Sequence, residues 1–137
     1  MKIVIDTNVW ISFLIGHRKQ LVRQLLVDEQ IDIYVSSAII SEICDVAKRD
    51  KIRKHISPAD LEDLLAIIQA YCHFVTVDHQ AKSNIRDSKD LFLLSLAETI
   101  EADYIISGDK DLTDLHSHAG IPILKYSEFL DRLNTEP

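Results

Sequence analysis

Glycine and proline are scarce, three of each in 137 residues, so extended linkers and low-complexity tracts are excluded and most of the chain must lie in regular elements. Cysteine is rarer still. Cys44 and Cys72 form no Cys-x-x-Cys pair and no Cys/His ligand spacing, which sets aside a disulfide framework or structural zinc and leaves two reduced thiols as the expectation. No apolar run approaches membrane-spanning length, so no membrane association is expected. After Met1 the chain enters Lys2-Ile3-Val4-Ile5-Asp6 without the charged region, apolar stretch and cleavage site of an export signal, and a cytoplasmic location is expected. Internal repeats are also lacking. What is abundant is apolar residues, 47% of the chain, enough for one domain over residues 1–137 with a core that needs no staple and only Asn134 to Pro137 loose.

Short β-branched runs alternate with longer amphipathic segments, the pattern of an α/β protein whose parallel sheet is covered by helices on both faces. Five strands are predicted, at Lys2 to Asp6, Asp32 to Val35, His73 to Val77, Asp103 to Ser107 and Ile121 to Leu124. Between them, Leu61, Leu64, Leu65, Ile68, Tyr71 and Cys72 keep helical spacing, and Ser57-Pro58 upstream supplies a cap with proline at the first helical position. Leu21, Val22, Leu25 and Leu26 mark a second helix. Leu91, Phe92, Leu93, Leu94, Leu96, Ala97 and Ile100 wrap most of a third, which predicts a helix buried against the sheet.

Four acids stand where such a fold places sites. Asp6 ends the first strand, Glu42 sits on a helix, Asp90 lies in the first turn of the apolar helix, and Asp109 follows the fourth strand in a Ser107-Gly108-Asp109 turn. In an open parallel sheet, sites form beyond the carboxyl ends of strands where the strand order reverses, and neighbouring first and fourth strands would bring Asp6 and Asp109 together. Oxygen-only carboxylate clusters suit Mg²⁺ or Mn²⁺ rather than zinc. A divalent ion relieves their mutual repulsion, recruits a phosphate, and lowers the pKa of a bound water, which points to phosphodiester chemistry.

Each acid has a structural reading beside the chemical one. Asp6 can cap the helix that begins near Thr7, and Asp87 or Asp90 can favour the positive end of the next helix. Asp109 and Asp111 can form an Asx-type turn after Gly108, where the Ser107 hydroxyl could orient a neighbouring carboxylate. Glu42 reads first as a solvated surface acid, yet the stripe Ile39, Ile40, Ile43, Val46 and Ala47 puts it at the edge of the buried face, where it can meet a cleft.

The ordered set Ile5-Asp6-Thr7-Asn8-Val9, helical Glu42, Asp90 with its apolar helix, and Ile105-Ile106-Ser107-Gly108-Asp109-Lys110-Asp111-Leu112 resembles the PIN domain over nearly the whole chain. The stretch from Arg86-Asp87-Ser88-Lys89-Asp90 through Gly120-Ile121-Pro122-Ile123-Leu124 to Phe129-Leu130 is similar to the toxin, VapC-like branch. The resemblance implies a three-layer α/β/α fold with a five-stranded parallel sheet ordered 3-2-1-4-5. It also implies a ribonuclease using one or two Mg²⁺ or Mn²⁺ ions, which leaves 5′-phosphate and 3′-hydroxyl ends. Asp6, Glu42, Asp90 and Asp109 match the family's metal site; Thr7, Asn8 and Ser107 match supporting positions, with serine where threonine is common and Leu112 where an aromatic residue is common. Asp87 and Asp111 are outer-shell candidates. RNA is the implied substrate, a cognate antitoxin the implied partner of a type II pair, and a homodimer the implied assembly.

The formal charge of −7 opposes binding of a polyanion, so a local basic rim is needed. Lys48, Arg49, Lys51, Arg53 and Lys54 are the candidate RNA contacts, although cations at a helix C-terminus also favour its dipole. His17, Arg18, Lys19 and Arg23 are a weaker second group, and His116 and His118 read as surface loop residues. Trp10, Phe13 and Leu14 read as a core wedge, with a dimer surface as the alternative. Two other functions compete: a non-catalytic PIN adapter binding RNA or protein, which would have lost its acids, and a haloacid dehalogenase-type phosphatase, whose motif expects aspartate where Asn8 stands.

Overall fold

The computed structural model describes residues 1–15, 19–83, 85 and 88–135. In chain order the elements are β1 (Lys2–Ile5), α1 (Thr7–Ile15), α2 (Lys19–Val27), β2 (Asp32–Val35), α3 (Ser37–Ala47), α4 (Asp50–Arg53) and α5 (Pro58–Tyr71). They continue with β3 (His73–Phe74), α6 (Ser88–Ile100), β4 (Tyr104–Ile106), α7 (Lys110–Thr113), β5 (Ser117–His118), β6 (Ile121–Leu124) and α8 (Tyr126–Thr135). The sheet runs β3-β2-β1-β4-β6-β5, with the first five strands in that list parallel. The parallel part reproduces the predicted 3-2-1-4-5 order. The chain steps one way from β1 to β3 and the other way from β4 to β6, so right-handed crossovers require helices on both faces. Ile3, Val4 and Ile5 are all buried, as a central strand covered on both sides demands.

Two strand predictions are corrected. The third strand stops at Phe74 instead of Val77, because its partner β2 ends at Val35 and Ser36 leaves the ladder to cap α3 through its side chain. Only the Val75 N–H reaches further, donating to the Val35 carbonyl at 3.0 Å. The unpredicted β5 pairs antiparallel with β6 across Ala119-Gly120. Both turn residues have positive φ, 51° and 79°, the conformation of a two-residue hairpin. Alanine at the first position hides that turn from a reading based on Asn-Gly or Gly-Gly pairs.

The predicted cap of α5 is present as a full capping box, in which Ser57 Oγ accepts the Asp60 N–H and Asp60 accepts the Ser57 N–H. On that helix Leu64, Ile67 and Ile68 are buried, while Tyr71, which keeps the same helical spacing, is exposed. Val22, Leu25 and Leu26 bury the α2 stripe. Trp10, Phe13 and Leu14 are fully enclosed, so the core reading holds, and Phe13 meets Tyr126 edge-on at 5.0 Å between ring centres. Cys44 and Cys72 are free thiols. Among the described residues no helix is long and apolar enough to cross a membrane.

Candidate active site

Asp6 is carried to the sheet's edge by pairing that outlasts β1, its N–H donating to the Ile106 carbonyl at 2.8 Å. This sets Asp6 beside Ser107 at the carboxyl ends of two adjacent central strands, where the order reverses. The carboxylate is nearly enclosed, 8% exposed, and Ser107 is fully buried beneath it. Ser107 Oγ donates to Asp6 Oδ2 at 2.7 Å and accepts the Asp109 N–H at 3.0 Å, so one hydroxyl ties the two strand ends together. Asp6 Oδ1 accepts the Asn8 N–H at 3.4 Å. Burial holds the Asp6 carboxyl above its ordinary range; the Ser107 and Asn8 hydrogen bonds pull it back, and the nearby negative charge of Asp109 adds to the rise.

The capping readings of Asp6 and Asp109 are also correct. Asp6 precedes α1, and its carbonyl accepts the Val9 and Trp10 N–H groups at 3.0 and 3.2 Å. Asp109 caps α7, its side chain accepting the Asp111 N–H at 2.9 Å. A carboxylate has about four lone-pair sites, more than these hydrogen bonds use, so capping and ligation are compatible.

Asp90 enters from the first turn of α6 and is 6% exposed. Glu42 enters from α3, where the Ile39, Ile43, Val46 and Ala47 stripe packs inward and leaves it at the predicted edge. Its side chain is only 13% exposed and meets Lys89 Nζ at 3.1 Å and an Arg49 guanidinium nitrogen at 3.9 Å. All four acids line one cleft of about 110 Å³, together with Thr7, Asn8, Arg49 and Lys89.

Of the predicted basic rim, only Arg49 lines this cleft. Lys48, Lys51, Arg53 and Lys54 are exposed around α4, and Arg53 pairs with Asp50 at 3.7 Å. The cation that sequence reasoning missed is Lys89; its adjacency to Asp90 was the available signal, and its pairing depends on α3 and α6 meeting in space. Asp111 is exposed and lies outside the cleft lining, while Asp87, His17 and Arg18 lie outside the described residues. Arg23 is exposed on α2 and does not line the cleft. His116 is exposed as expected, but His118 lies on β5 with its Nε2 2.9 Å from Glu98 Oε2, a half-buried partner no loop reading anticipates.

The acidic lining is oxygen-only, which fits a hard divalent cation by donor chemistry. Among the described residues, no three His, Cys, Asp or Glu side chains are gathered closely enough to hold an ion as they stand. Glu42 is instead engaged by two side-chain cations.

Fold and cleft define an open, parallel α/β protein with an acid-lined site at the switch point of its sheet. A PIN domain family model matches residues 2–111, and the chain belongs to that family. It is 34% identical over 119 residues to an uncharacterized protein of Methanocaldococcus jannaschii, an alignment that covers 84% of this chain and 75% of that one. Among solved structures it is similar to VapBC2 from Rickettsia felis bound to a promoter DNA fragment, with TM-score 0.57, 15% identity, and coverage of 92% of this chain and 99% of that chain. It is also similar to the PIN domain of human SMG5, at TM-score 0.54 and 14% identity over 97% and 99% of the two chains. A third likeness is to the PIN domain endonuclease Utp24, at TM-score 0.55 and 16% identity over 90% and 84%. At these identities the structural likenesses speak for the fold.

Proposed function

We infer that this PIN protein is a ribonuclease dependent on Mg²⁺ or Mn²⁺, one or two ions, and the toxin of a type II toxin and antitoxin pair. The observation that carries the reading is the convergence of Asp6, Glu42, Asp90 and Asp109, from four separate elements, on one cleft at the sheet's switch point. The toxin role draws on the likeness to VapBC2, and the endonuclease role on the likeness to Utp24. Residues 1–137 act as a single cytoplasmic domain that forms a homodimer and pairs with a cognate antitoxin.

When bound, a divalent ion would supply an acidified water and offset charge on the phosphate oxygens. Asp6, Glu42, Asp90 and Asp109 are the residues that would hold it. Ser107 fixes the Asp6 carboxylate by donating to Oδ2, which favours the ionised form that a cation needs. Thr7 and Asn8 shape the cleft wall, and Arg49 and Lys89 set positive charge where a phosphate enters. Glu42 must exchange its pairs with those two cations to serve as a ligand.

One observation favours a second reading: with Glu42 already neutralised by two cations, the cleft as it stands suits a PIN adapter that binds RNA or protein without cleavage. Incubating the purified protein and Asp90→Asn with a mixed single-stranded RNA panel under Mg²⁺, Mn²⁺ and EDTA separates the two. Cleavage that requires metal and Asp90 is expected. Tight RNA binding without cleavage under any metal would put the adapter first.

A further inference from the structure

We propose that a second pocket, beside the acidic cleft across the α3 and α6 contact, is a nucleobase subsite that seats the base of a nucleotide adjoining the cleaved phosphodiester. The pocket, about 300 Å³, lies between the start of α3, the outer face of α6 and the segment after β3. This inference rests on the ribonuclease reading above and specifies how such an enzyme chooses its strand.

The lining chemistry suits a neutral, flat heterocycle. Among the described residues that line it there is no Asp, Glu, Lys or Arg. Ala38, Val77 and Phe92 supply an apolar wall, while Ser37, His79 and Gln80 supply donors and acceptors at its edge. That combination, an aromatic platform with a few polar groups, is how unstacked bases are held: a side-chain ring stacks on the face and hydrogen bonds read the edge. Two further hydroxyls in the lining are already committed. Ser36 Oγ accepts the Ile39 N–H at 3.5 Å, and Ser95 Oγ accepts the Ala81 N–H at 2.8 Å while donating to the Leu91 carbonyl at 2.6 Å. The first bond caps α3 on itself and the second holds the segment near Ala81 against α6, so these walls are fixed by the fold.

Phe92 is the anomaly that the pocket explains. Its neighbours Leu93, Leu94, Leu96 and Ala97 are buried, yet Phe92 is 41% exposed in the middle of this apolar run. On a helix otherwise spent on the core, this partly open ring gives the pocket an aromatic wall on which a base can stack.

The position follows from the shared walls. The same two helices line both sites, with Ile39, Glu42, Asp90 and Leu93 facing the acidic cleft and Ala38, Phe92 and Ser95 facing the pocket. Ala38 and Glu42 are four residues apart on α3, roughly 6 Å along its axis. Phe92 follows Asp90 by two residues, about 200° round α6, so the two sites open on different sides of that helix and α3 is the wall along which they adjoin. The separation along α3 is within the reach of one nucleotide, so a strand with its phosphate at the acids can drop a neighbouring base beside Phe92.

The test is an abasic walk. A short RNA of mapped cleavage site is prepared with one base removed at each position in turn, and its affinity is measured by fluorescence anisotropy in Mg²⁺ in an Asp90→Asn background, with and without Phe92→Ala. One position next to the scissile phosphate is expected to lose about tenfold in affinity when its base is removed, and that loss should vanish in the Phe92→Ala protein. Phe92→Trp, which keeps an aromatic face, should restore the penalty. Equal abasic penalties with and without Phe92, in proteins with unchanged circular dichroism, would overturn the subsite while leaving cleavage by wild type intact. Wild-type protein that neither binds nor cuts RNA would overturn the ribonuclease reading and the subsite together. Persistent cleavage by Asp90→Asn would count against the assigned acid alone, because the coupling between Phe92 and the base would still be read.

Discussion

Replacing Ser107 by alanine is expected to destabilise the protein by about 2 to 4 kcal/mol near pH 7, far more than one hydroxyl on a surface would. The side chain is fully buried, and its single oxygen serves two partners at once: it donates to Asp6 Oδ2 at 2.7 Å and accepts the Asp109 N–H at 3.0 Å. The first bond is to a charged, nearly enclosed carboxylate, worth roughly 1.5 to 3 kcal/mol; the second, to a partly buried amide, adds about 0.5 to 1 kcal/mol. The pH dependence carries a definite sign. Burial raises the Asp6 carboxyl above its ordinary 3.8, so between that value and its folded value the native state holds a proton the unfolded chain has released. Stability from this group is therefore greatest below 3.8 and falls as pH rises through the window up to the folded value. Removing the Ser107 donor lifts the folded value further, so the cost of Ser107→Ala should grow from pH 4 to pH 7. Urea denaturation in EDTA at both pH values, with the m-value unchanged, reads the effect directly. A double-mutant cycle isolates its cause: in an Asp6→Asn background the same serine should cost less by about 1 kcal/mol or more, because the charge it solvates is gone. A cost below about 0.5 kcal/mol, or one equal in both backgrounds and at both pH values, would refute the claim that Ser107 sustains an ionised Asp6.

Lys89→Met should tighten Mn²⁺ binding about two- to fivefold by calorimetry, because an ion recruiting Glu42 no longer displaces an ammonium at 3.1 Å, a partly exposed pair worth ~0.5 to 1 kcal/mol. Unchanged or weaker binding would show that the lysine does not compete for the carboxylate. Burial pushes the Cys72 thiol up to about 12, so iodoacetamide at pH 8 should modify the native protein at Cys44 and reach Cys72 only after unfolding, as peptide mass spectrometry would report.

The central first and fourth strands were the easiest to read, since Ile3-Val4-Ile5 and Tyr104-Ile105-Ile106 are apolar runs too short for helices. The same logic overextended strand three, because Val75 and Val77 continue a β-like pattern past the point where any partner remains to pair with them. Residue pattern registers propensity, whereas a ladder needs a neighbour. Tyr71 and Phe92 failed for a related reason: both keep helical spacing with core residues, but exposure is decided by what packs opposite. For the acids, the positions were legible because strand ends and helix starts can be located along the chain. The pairing of Glu42 was not legible, since Lys89 reaches it only once α3 and α6 are packed together. Arg49 was picked out as one of a charged run, and the fold separates it from the others by turning the chain at α4.

The different environments of the four acids explain where the cations went. Asp6 and Asp109 stand immediately before α1 and α7 and accept backbone N–H groups there, and Asp90 lies in the first turn of α6. Asp6 and Asp109 therefore sit against amide donors at the start of a helix, and Asp90 lies near the positive end of another, all of which favour a carboxylate. Glu42 lies in the middle of α3, where every backbone donor is spent on the helix, and it is the acid that has drawn in Lys89 and Arg49. Asp6 is thus held by the Ser107 hydroxyl and a backbone amide, Asp109 by a backbone amide, and Glu42 by side-chain cations. Backbone donors cannot move without unwinding a helix end, whereas a lysine and an arginine, both partly exposed, can swing away more readily. Asp6, Glu42, Asp90 and Asp109 would have to draw closer together to hold a divalent ion, and Glu42 would also have to exchange its ion pairs, which would leave the ammonium and guanidinium near the cleft for a phosphate to meet.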